Sequence, residues 1–506
     1  MSDNAALMLS VSGCRGIVGE SLTPEVAARF AGCFAGFLHD RAKFDHAKNL
    51  ASSAQPRPAV VLGRDGRKGG EVIYHSAIAG LIGAGCDVID LGVAMTPTVA
   101  VATDHHARAR GGLVAGMVLT ASHNPQIWNG LKCLFADGTL QNSSAAAPPA
   151  SMAAEVIARF NARNPLLARW DAIGHVERDD AADQRHVDKV LDALAVAGLT
   201  DDPSILGEGL GVAVDSVNSS GGEGARLLLE SLGVEELLHI GHEQTGLFPH
   251  PPEPTQENLS LAGGLADAVR EGEAAVGFAQ DPDADRLAII DEKGRFIGEE
   301  YTLALCAMAL LEAHSSAGPG ATIGRPALVT NLSTSRMLDD VATRHGARVL
   351  RTPVGEANVV ETMKRANALA GGEGNGGLIW PMVTCVRDSL SSMALVLWLL
   401  SPKGGGKGRV RTVSELVASL PAYSIRKRKV DLASKDQAAA ACDAVAAAFK
   451  DETIDRSDGV WVDLVSKRAW LHVRASNTEP IMRLIAEAPT AEQAEAILNH
   501  AQQAIS

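Results

Sequence analysis

Three aspartates alternate with other residues in the segment Asp-Pro-Asp-Ala-Asp-Arg at positions 281–286, between two apolar runs that predict strands. In an extended chain these side chains project to one side, about 6–7 Å apart, so a divalent cation can gather their carboxylates. Without a cation the three negative charges would repel one another. Because oxygen ligands favour magnesium over softer metals, we predict that Asp281, Asp283 and Asp285 bind Mg²⁺.

This acidic segment has two other interpretations, a calcium loop of the EF-hand type and a solvated turn. The aspartate spacing and Glu292 at position twelve fit the calcium loop. However, position six is Arg286 instead of glycine, and the flanking segments predict strands instead of helices. A solvated turn is disfavoured because the charges are crowded between strands that we expect to be buried.

A second motif, Thr-Ala-Ser-His-Asn-Pro at positions 120–125, directly follows an apolar run that predicts a strand. The end of a strand is a rigid platform for a nucleophile such as Ser122. Acyl transfer would require His123 as the base, but adjacent side chains in an extended chain point to opposite faces. No Gly-x-Ser-x-Gly elbow surrounds the serine either. Taken alone, the motif also fits an ordinary turn.

A third motif has five glycines within residues 371–377. Glycines allow a ligand to approach the backbone closely, and the side chains of Glu373 and Asn375 can hydrogen-bond sugar hydroxyls. A flexible hairpin is the alternative interpretation.

A fourth motif, Arg-Ala-Ser-Asn-Thr-Glu-Pro at positions 474–480, combines a guanidinium with hydroxyls, an amide and turn backbone. These are the components of a phosphate-binding loop, although a polar hairpin turn has the same composition. The candidate phosphate ligands are Arg474, Ser476, Asn477, Thr478 and, just beyond the loop, Arg483.

Other basic residues lie near glycines or strands. Arg15 is a candidate without an assigned role at this stage, and Lys132, ten residues after Ser122, can return toward it across a hairpin. We interpret residues 64–67, Arg-Asp-Gly-Arg, as a structural salt-bridge turn. The basic run at 426–429 predicts a strand with solvated charges.

Short apolar runs alternate with amphipathic segments along the chain, which is typical of βα units. Strand–helix pairs are predicted at 58–63 and 69–85, at 211–215 and 221–232, and at 327–330 and 333–345. Candidate linkers are residues 141–150 and 403–408. After the second linker, helices at 435–450 and from 490 enclose three predicted strands. The pattern indicates three α/β blocks and a smaller α+β block.

The composition of the chain limits its class. With 506 residues we expect about three or four domains, and 46% hydrophobic with 21% charged residues is typical of globular proteins. A net charge of −14 argues against nucleic acid or anionic membrane as a partner. Seven scattered cysteines without a Cys-x-x-Cys pair indicate a reducing compartment. No secretion signal or long apolar run is apparent, so we expect a cytoplasmic protein.

Together, the four motifs in this order resemble the α-D-phosphohexomutase family over essentially the whole chain. The resemblance implies an α/β fold of three similar mixed α/β domains plus a smaller C-terminal α+β domain around a central cleft. It places the phosphoserine domain at 1–180, the metal-loop domain at 181–292, the sugar-loop domain at 293–403 and the phosphate-loop domain at 409–506.

The resemblance also implies roles for individual residues. Ser122 matches the phosphorylated serine, and its phosphate would bind Mg²⁺ together with the three aspartates. Arg15 and Arg286 would stabilise the transferring group, and Lys132 matches the proposed general acid/base. His123 is a further catalytic candidate. Glu373 and Asn375 lie in the sugar-binding loop, and the motif at 474–480 matches the loop that binds the distal phosphate.

The implied reaction interconverts hexose 6-phosphate and hexose 1-phosphate through a phosphoserine and a hexose 1,6-bisphosphate, which is also the activator. The sequence Gly-Glu-Gly-Asn-Gly-Gly, with Arg387-Asp388 and Thr-Pro-Val-Gly-Glu at 352–356, is most similar to phosphoglucosamine mutases. It departs from the Ser-Gly-His ending of many relatives, and phosphomannomutase or phosphoglucomutase activity is the close alternative. A metal-dependent sugar phosphatase and a phosphosugar-binding pseudoenzyme are more distant alternatives. We expect a small phosphosugar as the partner, and a monomer or homodimer.

Overall fold

The first sheet of the protein has a nearly continuous apolar centre, because its middle strands are covered on both faces. The computed structural model describes residues 7–48, 57–110, 112–136, 145–316, 325–434, 436–475 and 481–505. The sheet has seven strands in the order β1-β2-β6-β5-β3-β4-β7. They are β1 (Met8–Ser10), β2 (Gly13–Ile17), β3 (Ala59–Arg64), β4 (Asp87–Val93), β5 (Val114–Leu119), β6 (Trp128–Phe135) and β7 (Val176–Arg178).

Four helices accompany this sheet, namely α1 (Pro24–Lys48), α2 (Gly70–Gly83), α3 (Thr96–Arg110) and α4 (Ala150–Asn161). Strands β3, β4 and β5 run parallel, whereas β6 returns antiparallel to β5 and pairs Lys132 with Val118. The hairpin predicted to return Lys132 toward the serine motif is therefore confirmed.

Helices α1 and α2 pack closely at Gly80, which has no side chain. A Cβ at this position would lie 2.3 Å from the carbonyl oxygen of Ala28, so a larger residue would force the helices apart.

The second sheet has four strands in the order β11-β10-β8-β9. Its elements are α5 (Ala182–Val196), β8 (Gly211–Asp215), α6 (Gly221–Ser231), β9 (Glu236–Ile240), α7 (Gln256–Leu259), α8 (Leu265–Glu271), β10 (Val276–Gln280) and β11 (Leu287–Asp291), with a 3₁₀ turn at Pro203–Ile205. β8, β9 and β10 are parallel, and β11 is antiparallel to β10. The connection between β10 and β11 is the three-aspartate segment.

The third group of elements comprises α9 (Glu299–Ser316), β12 (Ala327–Asn331), α10 (Met337–Arg344), β13 (Arg348–Thr352), α11 (Glu356–Ala366) and β14 (Ala370–Glu373). β12 pairs in parallel with β13 and with β14. The helix predicted to begin at residue 333 begins at Met337, so that boundary was wrong. The reason is that Asn331 Oδ1 accepts hydrogen bonds from the Ser333 amide (2.8 Å) and from Thr334 Oγ1 (3.1 Å), which holds a turn.

A buried helix follows strand β15 (Gly377–Ile379) in the next part of the chain. Every residue of α12 (Ser389–Leu400) is buried. Asp388 caps this helix by accepting hydrogen bonds from the amides of Leu390 (2.9 Å) and Ser391 (3.1 Å). The glycine-rich stretch beyond it forms turns, in which the Gly405 amide donates to the Trp398 carbonyl at 2.8 Å.

The last part of the chain begins with α13 (Val413–Ala418) and then forms a wholly antiparallel sheet in the order β16-β20-β19-β18-β17. Its elements are β16 (Ser424–Asp431), α14 (Gln437–Ala448), β17 (Thr453–Asp455), β18 (Val460–Leu464), a 3₁₀ turn (Val465–Lys467), β19 (Ala469–Ala475), β20 (Ile481–Ala488) and α15 (Ala491–Ile505). The charges at 426–429 are mostly exposed, as predicted. Three α/β blocks and a smaller α+β block are therefore confirmed.

The described residues form two units by their contacts. Unit 1 comprises Met1–Glu299 with Gly377–Val413, and unit 2 comprises Glu300–Gly376 with Ser414–Ser506. All seven cysteines lie within the described residues, and each is a buried free thiol. Across the described ranges, no helix combines the length and the apolar character needed to span a membrane.

Candidate active site

The serine motif lies in unit 1, where the chain leaves β5. Ser122 is 8% exposed and adopts a left-handed backbone conformation with φ of 51°. Its Oγ donates a hydrogen bond to Asp281 Oδ2 at 2.8 Å, and His123 Nδ1 lies 3.3 Å from the same Oγ. The expectation that the two adjacent side chains point to opposite faces was wrong, because the chain here is a turn and not an extended strand.

The three aspartates are brought together by a turn, and not by an extended segment as expected. Ala284 has φ of 52°, and its amide donates to the Asp281 carbonyl at 2.9 Å. As a result, one carboxylate oxygen from each aspartate lies within 4.8 Å of the others, and all three residues are buried. This separation is shorter than the extended spacing, and it suits a single shared cation.

Polar groups from other parts of unit 1 hold the carboxylates in place. Thr96 Oγ1 donates to Asp283 Oδ2 at 2.6 Å, and the Arg286 amide donates to Asp281 Oδ1 at 3.1 Å. Asp285 Oδ2 accepts hydrogen bonds from two cations, namely Arg387 Nη2 at 2.6 Å and Lys132 Nζ at 3.4 Å.

The charges in the cluster are not balanced equally. Burial raises the pKa of Asp281 well above its ordinary range, and Asp283 and Asp285 raise it further. Burial and then Asp285 also raise the pKa of Asp283. Burial alone would raise the pKa of Asp285, but Arg387, Lys132 and Arg286 hold it below its ordinary value. The negative charge on Asp281 and Asp283 therefore lacks full compensation from the protein.

The carboxylates fit a hard divalent cation. Asp283 Oδ1 and Asp285 Oδ1 are buried and have no hydrogen-bond partner within the described part of the chain. The side chain of Arg286 approaches Asp285 Oδ1 only to 3.9 Å, from its Nε, which is too far for a hydrogen bond. Buried carboxylate oxygens without partners are costly unless a cation binds them. Because the donors are oxygens alone, the cluster suits Mg²⁺ better than softer metals.

Arg15 and His123 are two further residues of unit 1 that were predicted to be catalytic. Arg15 lies on β2 opposite Gly130 of β6. Burial lowers the pKa of its guanidinium, whereas the charges of Asp283 and Asp285 oppose that change. Burial, and then the charge of Arg286, lowers the pKa of His123 to about 3, so its imidazole is neutral at physiological pH.

Sequence reasoning did not assign two residues that contact the aspartates. Thr96 follows β4 and is the first residue of α3. A Thr-Pro pair that follows a strand and begins a helix is a local signal for such a position, and it could have identified Thr96. Arg387 was noted only for its similarity to one branch of the family. Its pairing with Asp285 depends on contacts across 102 positions of sequence, which no local pattern indicates.

The sugar-loop candidates lie in unit 2, at the end of β14. Glu373 is 7% exposed, and its Oε1 accepts a hydrogen bond from Asn331 Nδ2 at 2.9 Å. The Gly374 amide donates to Thr334 Oγ1 at 3.1 Å, which fixes the start of the glycine-rich turn. Asn375 Oδ1 is buried and accepts no hydrogen bond from the residues that the structure describes.

The phosphate-loop candidates also lie in unit 2, where β19 and β20 pair. Arg474 lies directly opposite Arg483, so both side chains are on one face of the sheet. Arg474 Nη1 is 3.3 Å from Asp458 Oδ2. Ser476, Asn477 and Thr478 fall outside the described residues.

Comparison with known proteins identifies the class. Models of phosphoglucomutase/phosphomannomutase match in four parts: alpha/beta/alpha domain I at residues 7–147, domain II at 185–294, domain III at 299–423 and the C-terminal domain at 428–501.

Individual relatives match along nearly their whole length. A phosphoglucomutase/phosphomannomutase of Thermococcus kodakarensis is 35% identical over 96% of this chain and 95% of its own. A probable phosphoglucosamine mutase of Methanopyrus kandleri is 33% identical over 96% of this chain and 94% of its own. The crystal structure of a phosphoglucomutase/phosphomannomutase family protein from Burkholderia thailandensis has a TM-score of 0.73 at 24% identity, covering 98% of both chains.

The four-domain α/β fold and these matches define a phosphohexomutase, which is an intramolecular phosphotransferase. The chain belongs to the phosphoglucomutase/phosphomannomutase family. The resemblance inferred from the four motifs is thereby confirmed.

Proposed function

We propose that this enzyme interconverts a hexose 6-phosphate and the corresponding hexose 1-phosphate through a phosphorylated Ser122, with glucosamine phosphate as its preferred substrate. The observation that carries the proposal is the hydrogen bond of 2.8 Å from Ser122 Oγ to Asp281, within a buried cluster of three carboxylates. This arrangement suits a serine that carries phosphate beside a cation.

Ser122, Asp281, Asp283 and Asp285 would hold the magnesium ion, which when bound supplies positive charge to the oxygens of the transferring phosphoryl group. Phosphoryl transfer depends mainly on in-line positioning and on electrostatic stabilisation of those oxygens. Ser122 Oγ donates the phosphoryl group to a sugar hydroxyl and later receives the other phosphate of the bisphosphate. Arg15 and Arg286 add positive charge on the protein side.

Proton transfer is assigned to Lys132. Its Nζ lies 3.4 Å from Asp285 Oδ2, which orients it within the cluster. As the neutral amine, Lys132 would take the proton from the attacking sugar hydroxyl, and the ammonium group formed would return that proton in the reverse half-reaction. Neutral His123 assists by hydrogen bonding to Ser122 Oγ when the serine is not phosphorylated.

Two loops supply the recognition groups in this proposal. Glu373 and Asn375 bind the sugar hydroxyls, and Arg474 binds whichever phosphate is not reacting. Arg483 and residues 476–478 complete that phosphate site. The bisphosphate turns over between the two half-reactions, and the grip on its distal phosphate keeps it bound. These roles belong to domains that we place at 1–180, 181–292, 293–403 and 409–506.

The choice of glucosamine phosphate depends on the sugar loop. The side-chain amide of Asn331 donates to the Glu373 carboxylate and holds it in a buried position. In that position the carboxylate can pair with the ammonium group of glucosamine. The unpaired Asn375 carbonyl oxygen is a second acceptor for that group. Relatives with the two candidate activities match similarly well, at 35% and 33% identity, so the loop chemistry decides the proposal.

The substrate proposal is tested with the purified enzyme, Mg²⁺ and catalytic bisphosphate on the 6-phosphates of glucosamine, mannose and glucose. We expect kcat/KM for glucosamine 6-phosphate to exceed the other two values by at least about tenfold, the value of roughly one charge-assisted contact. A higher value for mannose or glucose would reject the substrate. Release of free sugar and inorganic phosphate in place of the 1-phosphate would reject the mutase reaction.

The metal proposal predicts that Asp283→Asn abolishes tight Mg²⁺ binding without unfolding the protein. The variant lacks one of three mutually repelling carboxylates, so its metal-free form should melt no lower than the metal-free parent. A hundredfold excess of Mg²⁺ over Kd should stabilise the parent by about 2.7 kcal/mol, and the variant by much less. Titration calorimetry and thermal melting measure both effects.

A matched control for this variant is Asp291→Asn. Asp291 is another buried carboxylate on the same sheet, but it pairs with Arg295, at 2.6 Å. Its substitution should leave the Mg²⁺ affinity unchanged. An unchanged affinity in Asp283→Asn as well would show that the metal binds elsewhere.

A further inference from the structure

Arg67 is a fully enclosed arginine, only 1% exposed, that contacts residues 120–128 of unit 1, here called the serine loop. Its Nε donates to Asp65 Oδ2 at 2.7 Å, and its Nη2 donates to the Ser122 carbonyl at 2.6 Å. The remaining amino group donates to three more carbonyl oxygens of the same loop, those of Trp128 (2.7 Å), Asn124 (3.3 Å) and Pro125 (3.3 Å).

Asp65 reaches the same serine from its other side. Asp65 Oδ2 accepts a hydrogen bond from Thr120 Oγ1 at 2.9 Å, and Thr120 Oγ1 in turn accepts the amide of Ser122 at 2.8 Å. The amide and the carbonyl of Ser122 are therefore both fixed by one connected set of side chains. The side chains of this set are Asp65, Arg67 and Thr120.

The backbone that these side chains hold is an unfavourable one. Ser122 has φ of 51°, a left-handed conformation that residues other than glycine rarely adopt. Such a conformation persists only where surrounding contacts determine it. The same conformation brings Ser122 Oγ to Asp281, so the contacts of Arg67 and Thr120 set the position of the reacting oxygen.

Residues of the segment after β9 also pack against Arg67 and its neighbours. The guanidinium lies 5.3 Å from the centre of the Phe248 ring. The Lys68 amide donates to the Gly246 carbonyl at 2.9 Å, and Gln126 Nε2 donates to the same carbonyl at 2.8 Å. Arg67 is thus shielded from water, which strengthens its hydrogen bonds to the loop.

These contacts exceed what a structural salt bridge requires. A salt bridge within the turn at 64–67 would need only the pair of Asp65 and Arg67, whereas four carbonyl oxygens of the serine loop also accept from this guanidinium. Only arginine offers enough donors in a rigid fork for such a set, because lysine has a single nitrogen. The interpretation of these residues as a purely structural turn is therefore incomplete.

We propose that Arg67, oriented by Asp65 and acting with Thr120, is a positioning residue that holds Ser122 in the conformation required for phosphoryl transfer. In this proposal Arg67 touches neither the substrate nor the carboxylates of Asp281, Asp283 and Asp285, and it acts only through the backbone of Ser122. The kinetic part of the proposal depends on the proposed mutase function, but its structural part does not.

The test uses the variants Arg67→Lys and Thr120→Val in the full-length enzyme. A misplacement of about 1 Å costs about 10²-fold in rate, so we expect kcat to fall by about that factor in Arg67→Lys while KM changes little. Thr120→Val keeps the side-chain shape and loses the hydroxyl, and should lower kcat about tenfold or more. Thr120→Ser, which keeps the hydroxyl, should restore most of the lost rate.

A second readout is independent of activity. Hydrogen–deuterium exchange, followed by mass spectrometry, reports the protection of the Ser122 amide, and we expect faster exchange in the peptide that contains residues 120–124 in both variants. The rest of unit 1 should exchange as in the parent. Arg110→Lys is the matched control, because it removes arginine contacts with Asp87 and Glu177 in the same sheet, away from the serine loop.

The outcomes separate the two proposals. Unchanged exchange at 120–124 in folded Arg67→Lys and Thr120→Val would overturn the positioning role, whether or not the parent is a mutase. Faster exchange with parental kcat would also overturn it. If the parent does not interconvert any hexose phosphate, the proposed function fails, and the exchange experiment still decides whether Arg67 holds the serine.

Discussion

Ser122→Ala is expected to lower multiple-turnover mutase activity by at least about 10²-fold, because the reaction loses the group that carries phosphate between the two half-reactions. Binding of the phosphosugar should persist, since the groups proposed to recognise it are elsewhere in the chain. The loss should therefore be in kcat, and KM should change little. Steady-state kinetics with Mg²⁺ and added bisphosphate measure the effect.

The matched control for this variant is Ser392→Ala. Ser392 is also a buried serine of unit 1, and its hydroxyl donates to the Asp388 carbonyl at 2.8 Å, at the start of α12. Its removal should leave turnover near the parental value. Near-normal turnover in a dephosphorylated Ser122→Ala preparation would show that another group carries the phosphate.

Arg474→Ala is expected to raise KM for both the 1-phosphate and the 6-phosphate. If Arg474 binds the non-reacting phosphate as proposed, each isomer presents its phosphate to this arginine in one of the two half-reactions. Loss of a charge-assisted bidentate contact costs about 2–4 kcal/mol, which corresponds to a fall of roughly 30- to 1000-fold in kcat/KM. The variant should also release more bisphosphate, because the group that retains the intermediate during its turnover is missing.

Arg468→Ala is the control for Arg474→Ala, because Arg468 belongs to the same antiparallel domain but pairs with Asp340 at 2.9 Å on an exposed surface. We expect its kinetics to match the parent. Kinetics measured in both directions decide the matter, and equal kcat/KM for Arg474→Ala and the parent would reject the distal-phosphate role.

The sequence indicated that the aspartate segment lies beside Ser122, but not that Arg67 contacts the serine, nor the backbone geometry that brings these residues together. The strand ends at Ser122 and Asp281 and the hairpin at Lys132 follow from local apolar patterns, which strands and turns display clearly. The left-handed conformations of Ser122 and Ala284 do not, because residues other than glycine adopt them only under tertiary contacts. An extended-chain model therefore misplaced His123 and overestimated the spacing of the aspartates.

Long-range partners were missed for a related reason. Thr96 and Arg387 contact Asp283 and Asp285 across 187 and 102 positions of sequence. No periodicity or short motif indicates such pairs in a single sequence. The start of α10 at Met337 was predicted too early. The side chain of Asn331 accepts a hydrogen bond from the Ser333 amide and so holds a turn where a helix was expected. The spacing of apolar residues, on which the helix prediction depended, does not reveal such a hydrogen bond.

The central claim is that Ser122 carries the phosphoryl group, and label transfer tests it most directly. The enzyme is incubated with Mg²⁺ and ³²P-labelled hexose 1,6-bisphosphate, and the labelled peptide is identified by mass spectrometry. We predict a single label per chain on Ser122, which hexose phosphate then removes as labelled bisphosphate. An absent label, a label on another residue, or release of the label only as inorganic phosphate would contradict phosphoryl transfer through Ser122.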